Sequence, residues 1–316
     1  MQEHTDLVPE NNNQTVTTAM QPMSFTDILD GMFTLYRHHF RLFLEIAVVY
    51  LVFAFVIDQM YAFAAFNLGM EDTLSILFYH LLGTFLLSLL VGGALIYASA
   101  HVFLKRDITA GDALKQTLQR YFSLLGSALF WALVVFSPFI VIIIVMLSGN
   151  MMLQILVFLG AFIIGIPFSI YFGVRWGLYS LPVLFEKTSA TKALSRSTEL
   201  VKGTWWRVFG IMVAIFLITF MISFILQTSF WAIFNSITGP TLAEKIGEEP
   251  TIWESIRILF VPTPNDIGWS AYLIRSFVTL SIAALLMPIG SIGSALLYFD
   301  MRIRKEAYDL EMQATD

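Results

Sequence analysis

The sequence predicts an all-α membrane protein in which six transmembrane helices form three parallel-repeated helical hairpins, each preceded by a cytoplasmic amphipathic helix. Three observations lead there. Six apolar stretches, at residues 42–66, 74–103, 123–147, 152–185, 208–234 and 270–299, each exceed the ~20 residues an α-helix needs to cross a ~30 Å hydrocarbon core. Of the 316 residues, 57% are hydrophobic and 13% charged, against about 25% charged in a soluble domain. Finally, one hydroxyl-led hexapeptide recurs ahead of each odd-numbered stretch, at residues 24, 109 and 189.

Residues 1–22 are polar and lack the apolar core of a signal peptide, so a disordered cytoplasmic tail is expected. A transmembrane domain over 23–305 and a short cytoplasmic tail over 306–316 complete the expected organisation. The first copy of the repeat, Ser24-Phe-Thr-Asp-Ile28-Leu29, pairs a hydroxyl N-cap with a carboxylate three residues on, a start of capping-box type. Phe25, Ile28, Leu29, Met32, Phe33, Tyr36 and Phe40 then recur on one helical face, and Arg37, His38, His39 and Arg41 occupy the opposite edge. Two placements fit this helix. It lies in the cytoplasmic headgroup layer with its bases on anionic lipid, or it packs on the cytoplasmic ends of the spans.

The second copy, Thr109-Ala-Gly-Asp-Ala113-Leu114, repeats the cap, and the third is Ser189-Ala-Thr-Lys-Ala193-Leu194. The even-numbered stretches share an ending in Gly93-Ala-Leu-Ile-Tyr97, Arg175-Trp-Gly-Leu-Tyr179 and Ser294-Ala-Leu-Leu-Tyr298, which puts a tyrosine near the inner interface each time. Because every copy starts on the same side, the hairpins are parallel repeats related by an axis along the membrane normal. The cations agree. Of eighteen lysines and arginines, fourteen fall before the first stretch, in the second-to-third and fourth-to-fifth connections, or after the sixth. The opposite loops hold only Lys245 and Arg257, so both termini are predicted to be cytoplasmic.

The third copy continues through Arg196-Ser197-Thr-Glu-Leu200-Val-Lys-Gly203-Thr-Trp-Trp206-Arg207, after the Arg175 stretch and Glu186. Together with Ile28-Leu29-Asp30-Gly-Met-Phe33-Thr-Leu35-Tyr36-Arg37, this run resembles the bacterial glycerophosphoryl diester phosphodiesterase membrane-domain family. The resemblance implies a multi-pass domain of the bacterial cytoplasmic (inner) membrane, sometimes fused to a soluble phosphodiesterase barrel. Such a barrel would need about 250 residues, and the longest segment outside the stretches is about 35 residues, with no His-Arg-Gly tripeptide. The activity is therefore not carried over.

Ionisable groups inside apolar stretches are candidate sites, because a charge at the bilayer centre costs about 2.5–3.5 kcal/mol on insertion scales. Asp58 and Arg275 fall at comparable depths in the outer halves of the first and last stretches, which makes an Asp58–Arg275 pair geometrically feasible. It would tie the first hairpin to the last or line an outward-open polar cavity. Arg175 lies in a stretch too long for a plain crossing. Either the hydrocarbon segment ends near residue 176 and Arg175 snorkels to the headgroups, or it partners Glu45. Gly173 and Gly177 make a Gly-x-x-x-Gly step. Pro138, Pro167 and Pro288 are expected to kink their helices and free carbonyls. His80, Gln154 and Gln227 suit hydrogen bonds between helices, and Thr251-Ile-Trp-Glu254 starts a capped helix in the outer loop.

No motif for hydrolysis, nucleotide binding or metal binding is present, and the chain has no cysteine. No cofactor and no enzymatic activity are expected. Nucleic acid is not an expected partner, since the net charge is −5 and the bases follow the membrane surface. The expected function is membrane or lipid organisation. Anionic phospholipid would be held by Arg37, His38, His39, Arg41, Arg120, Arg196, Lys202 and Arg207, or a partner membrane protein supported. A small secondary transporter with a site at Asp58 and Arg275 is the alternative, and a membrane-embedded hydrolase the third. The sequence leaves the oligomeric state open.

Overall fold

The computed structural model describes residues 22–67, 73–146, 149–245 and 264–315. In chain order the helices are α1 (Phe25–His38), α2 (Phe40–Asn67), α3 (Thr73–Phe103), α4 (Ala110–Gln119), α5 (Tyr121–Met146), α6 (Met151–Gly160), a π-helical turn (Ala161–Gly165), α7 (Ile166–Trp176), α8 (Ser180–Leu184), α9 (Ala190–Val201), α10 (Trp205–Lys245), α11 (Pro264–Ile267) and α12 (Trp269–Thr315). Among the described residues there is no strand. Six helical stretches are long and apolar enough to cross a membrane: Phe40–Ala64, Leu81–Phe103, Tyr121–Met146, Met151–Leu184, Trp205–Phe234 and Trp269–Glu306. The expected N-terminal tail through residue 21 and the expected outer-loop helix at Thr251–Glu254 lie outside the described residues.

Successive long helices pack on each other as α2 with α3, α5 with α6 and α7, and α10 with α12. The pairs are not equivalent. Half of the apolar window of α12 is buried inside the protein, against 6% for α5, so α12 is the axis on which α1, α2, α3, α9 and α10 rest. Small residues allow this. A Cβ at Gly293 would come within 2.7 Å of Ile215 on α10 and 2.8 Å of Met32 on α1, so glycine there lets three helices meet. Helix α12 also runs through residue 305, where a tail was expected to begin, to Thr315, and α10 continues past residue 234 to Lys245.

The capped starts form as their sequences dictate. Ser24 and Asp27 exchange both bonds of a capping box, with Ser24 N–H donating to Asp27 Oδ2 at 2.7 Å and Asp27 N–H to Ser24 Oγ at 3.1 Å. At α4, Thr109 Oγ1 accepts from Asp112 N–H at 3.1 Å. Helix α1 buries Ile28 and Met32 completely against the core around Leu296 and leaves Phe25 and Phe33 at least 40% exposed. One edge of its apolar face therefore packs on the protein and the other points outward.

Pro138 and Pro167 are accommodated locally. Pro138 removes the donor for the Val134 carbonyl, and the Ser137 hydroxyl takes that carbonyl at 2.8 Å. Pro167 falls in the first turn of α7, directly after the π-helical turn, where its missing N–H costs least. A Cβ at Gly165 would lie 2.7 Å from Pro138, so the π-helical turn and the α5 proline meet. Near Pro288, Tyr36 Oη donates to the Leu285 carbonyl at 2.8 Å.

Candidate functional site at the basic end

The long fourth stretch is interrupted within its last third. Helix α7 stops at Trp176, and α9 closes the break: Ser197 Oγ donates to the Arg175 carbonyl at 3.0 Å and accepts the Leu178 N–H at 3.2 Å. Thr198 Oγ1 accepts from Trp176 Nε1 at 3.0 Å and from Arg175 Nε at 3.4 Å. The hydroxyls of Ser197 and Thr198 thus satisfy backbone and ring groups that a helix end leaves open. Arg175 also donates to Tyr171 Oη at 3.1 Å, while Glu45 takes Arg41 at 2.9 Å, one helical turn away. The considered Glu45–Arg175 partnership gives way to these local ones. Only Gly177 of the Gly-x-x-x-Gly step is a close approach, a Cβ there falling 2.6 Å from Met212, whereas Gly173 has no neighbour within 4 Å.

Asp300, fully buried on α12, organises the basic end. Its Oδ1 accepts the Met23 N–H at 2.8 Å and Arg304 Nε at 3.0 Å, and its Oδ2 accepts Arg207 Nη2 at 2.9 Å. The same two arginines donate to the Met23 carbonyl, at 2.7 Å from Arg207 and 2.8 Å from Arg304. One carboxylate, two guanidiniums and one peptide unit therefore close a circuit joining the segment before α1 to the start of α10 and the Asp300–Arg304 turn of α12. A buried carboxylate is tolerated only when paired and fully hydrogen-bonded in this way.

A second group lies beside it. Glu186, between α8 and α9, accepts the Tyr298 hydroxyl and Arg196 Nε at 3.4 Å. Arg196 reaches Glu306 at 2.6 Å, and Arg302 Nε meets both Glu306 oxygens at 2.8 Å. Burial opposes the Arg196 charge, but Glu186 and Glu306 outweigh it and hold its pKa above the ordinary value. Arg196 and Arg207, expected as lipid contacts, thus have carboxylates of the protein as partners.

The other expected lipid contacts lie nearer the surface. Arg37, His39 and Lys202 are exposed, and the Arg41 side chain is 93% exposed. His38 is exposed with Nδ1 2.9 Å from the Thr34 carbonyl, and Arg120 donates to the Lys187 carbonyl at 3.4 Å.

Toward the opposite end, Asp58 accepts the Ser276 hydroxyl at 2.5 Å and Gln59 Nε2 at 3.1 Å, and the Arg275 guanidinium lies 4.4 Å from the Trp231 ring centre. The depth match does bring α2 and α12 together here, through Ser276 rather than Arg275. Adjacent helical residues point about 100° apart, so the face that meets Asp58 is the one carrying Ser276. Gln154 bridges α6 to the Met146 carbonyl at 3.1 Å, and Gln227 stays on its own helix with Ser223 at 2.7 Å.

Sequence reasoning missed Asp300 and Glu306 because it counted the arginines around them as orientation signals or lipid contacts. The spacing was available: Asp300 and Arg304, and Arg302 and Glu306, are both four residues apart. Nothing local marks Arg207 as the third member. Among the described residues no group of three histidine or acidic side chains could hold a metal ion.

Fold and site together define a multi-pass helical membrane protein whose basic end is cross-braced by ion pairs. The chain belongs to the family described as Domain of unknown function (DUF8558), whose model matches residues 63–247. No curated protein and no solved structure matches the chain. These comparisons give no link to the phosphodiesterase membrane-domain family.

Proposed function

We propose that this protein is a non-enzymatic membrane-organising protein that binds anionic phospholipid along a cytoplasmic basic rim. One observation carries the reading: exposed cations and exposed large apolar side chains alternate around the basic end. Arg37 and Arg41 flank Phe40, and Trp206, 77% exposed, follows Lys202, while half-buried Arg120 stands between the exposed Leu118 and Phe122. Apolar side chains placed beside cations suit the boundary between headgroups and acyl chains, where both are favoured. In this reading the three helices α1, α4 and α9 are interfacial elements of a threefold parallel repeat, with both termini in the cytoplasm. Arg196 and Arg207 leave the lipid-binding set, because their carboxylate partners occupy them.

The test is native mass spectrometry of the purified chain titrated with phosphatidylglycerol and with phosphatidylcholine. The parent is expected to retain phosphatidylglycerol preferentially, and Arg37→Ala/Arg41→Ala/Lys202→Ala to lose that preference while keeping its melting temperature. Equal retention of both lipids by the parent sinks the proposal.

A further inference from the structure

A cleft of about 610 Å³ opens at the basic end between the last turn of α3, the segment after α8 and the inner part of α12. Its volume lies within the range of small-molecule sites. Arg106, Lys187 and Arg302 line it, against one carboxylate, Glu306. That carboxylate is already engaged by Arg196 at 2.6 Å and Arg302 at 2.8 Å. Among the described residues the side chains of Arg106 and Lys187 have neither an ion-pair nor a hydrogen-bond partner, so two cations face the cleft unopposed.

The backbone holds these cations in place at a conformational cost. Helix α3 ends with Lys105 N–H on the Val102 carbonyl at 3.0 Å and Arg106 N–H on the His101 carbonyl at 2.9 Å, a closure that puts Lys105 in the left-handed region at φ 54°. Glycine is the ordinary residue there. Lys187 repeats the anomaly at φ 56°, its carbonyl taken by Arg120. Among the described residues these are the only non-glycine residues with positive φ; Lys187 itself lines the cleft, and Lys105 directly precedes the lining residue Arg106. Strained backbone retained at a lysine, where glycine would sit without strain, marks a position whose side chain is used.

The rest of the cleft is aromatic. Phe185 meets Phe299 edge-on at 5.7 Å, and Phe103 stacks behind Phe299 at 5.0 Å. His101, with Nδ1 3.0 Å from the Tyr97 carbonyl, contributes the rest of its ring to the wall. Unopposed cations over an apolar, aromatic floor fit a ligand with a phosphate at one end and an apolar or planar body at the other.

We infer that this cleft is a phosphate-binding site, taking the headgroup of an anionic phospholipid or a soluble phosphate ester. Its three cations are not among those of the rim, so it stands or falls separately from the lipid-organising reading. The experiment uses the purified full chain in detergent. Phosphatidylglycerol is titrated by native mass spectrometry, and ATP and inorganic phosphate by calorimetry. The test variant is Arg106→Ala/Lys187→Gly, made in the parent and in the rim-deficient background Arg37→Ala/Arg41→Ala/Lys202→Ala, so that loss at the cleft is read apart from loss at the rim. Because glycine suits φ 56°, Lys187→Gly removes the charge without loading the fold, and Lys187→Gly alone should melt at or above the parent temperature.

Phosphatidylglycerol binding that weakens about tenfold or more when the double replacement is added to the rim-deficient background supports the inference with a lipid headgroup as ligand. The same loss for ATP or inorganic phosphate supports it with a soluble ester. A parent that binds none of the three, or a double variant with unchanged affinity, overturns it.

Discussion

Asp300 shows how a single residue decides the basic end. Its carboxylate is wholly buried and meets two guanidiniums and a peptide N–H. Asp300→Ala leaves Arg207 and Arg304 facing each other with the Met23 carbonyl as their shared acceptor, which should destabilise the protein by about 3–5 kcal/mol. A melting curve in detergent should show a loss of several degrees, whereas Arg41→Ala, at a side chain 93% exposed, should leave it unchanged. Asp27 gives a pH signature. The Ser24 N–H and then its hydroxyl hold the Asp27 carboxyl below the ordinary carboxylate range. A carboxyl depressed in the folded state stabilises α1 above its unfolded pKa of ~3.9, and that stabilisation is lost as pH falls through the lower folded value. First-turn amides of α1, corrected for intrinsic exchange rate, should lose protection below about pH 4. In Asp27→Asn they should be less protected at neutral pH and insensitive to acid.

At the scale of elements, the informative comparison is between two glycines. Gly293 on α12 has no room for a Cβ, with Ile215 at 2.7 Å and Met32 at 2.8 Å, while Gly210 on α10 has nothing within 4 Å. Gly293→Ala should therefore cost about 1–3 kcal/mol by forcing α1 and α10 off α12. Gly210→Ala should be neutral or stabilise by up to about 1 kcal/mol through helix propensity. Equal melting temperatures for the two variants would contradict the close approach. The break after α7 follows the same logic. A helix can stop at Trp176 inside an apolar stretch because α9 supplies hydroxyls to its open groups. The freed carbonyl at Pro138 is likewise taken, by Ser137. That kink therefore does not present an open carbonyl of the kind a transporter site would use, which weakens the transport alternative at this position.

For the whole molecule, α12 is the axis and the α5–α7 pair is peripheral: half of the sixth apolar window is buried but only 6% of the third and 11% of the fourth. The basic end gathers α1, α4, α9 and the end of α12, and the turn at Asn150 lies at the other end of the α5–α6 hairpin. Absence of cysteine makes the orientation directly measurable. Single replacements Asp107→Cys and Lys192→Cys should react with a membrane-impermeant maleimide only after spheroplasts are opened, and Asn150→Cys should react in intact ones. Labelling of Asp107→Cys and Lys192→Cys but not Asn150→Cys in intact cells would reverse the cytoplasmic assignment.

What was legible came from one-dimensional patterns. Runs of apolar residues dictate spans because a buried backbone must satisfy its own hydrogen bonds, and hydroxyl–x–x–carboxylate starts dictate helix caps because both partners lie within one turn. Asp58 was rightly sent to the last helix by depth, but depth does not specify azimuth, and Ser276 rather than its neighbour Arg275 faces it. Arg207 read as a free cation because its partner Asp300 lies 93 residues away, whereas Arg196 has Glu199 within one turn and Glu186 ten residues away besides the distant Glu306. The sequence alone determined how many apolar helices form, where they begin and which end is basic, since each depends on interactions within a few turns. Only the tertiary structure decided which cations remain exposed, because charge pairing depends on which helix ends converge.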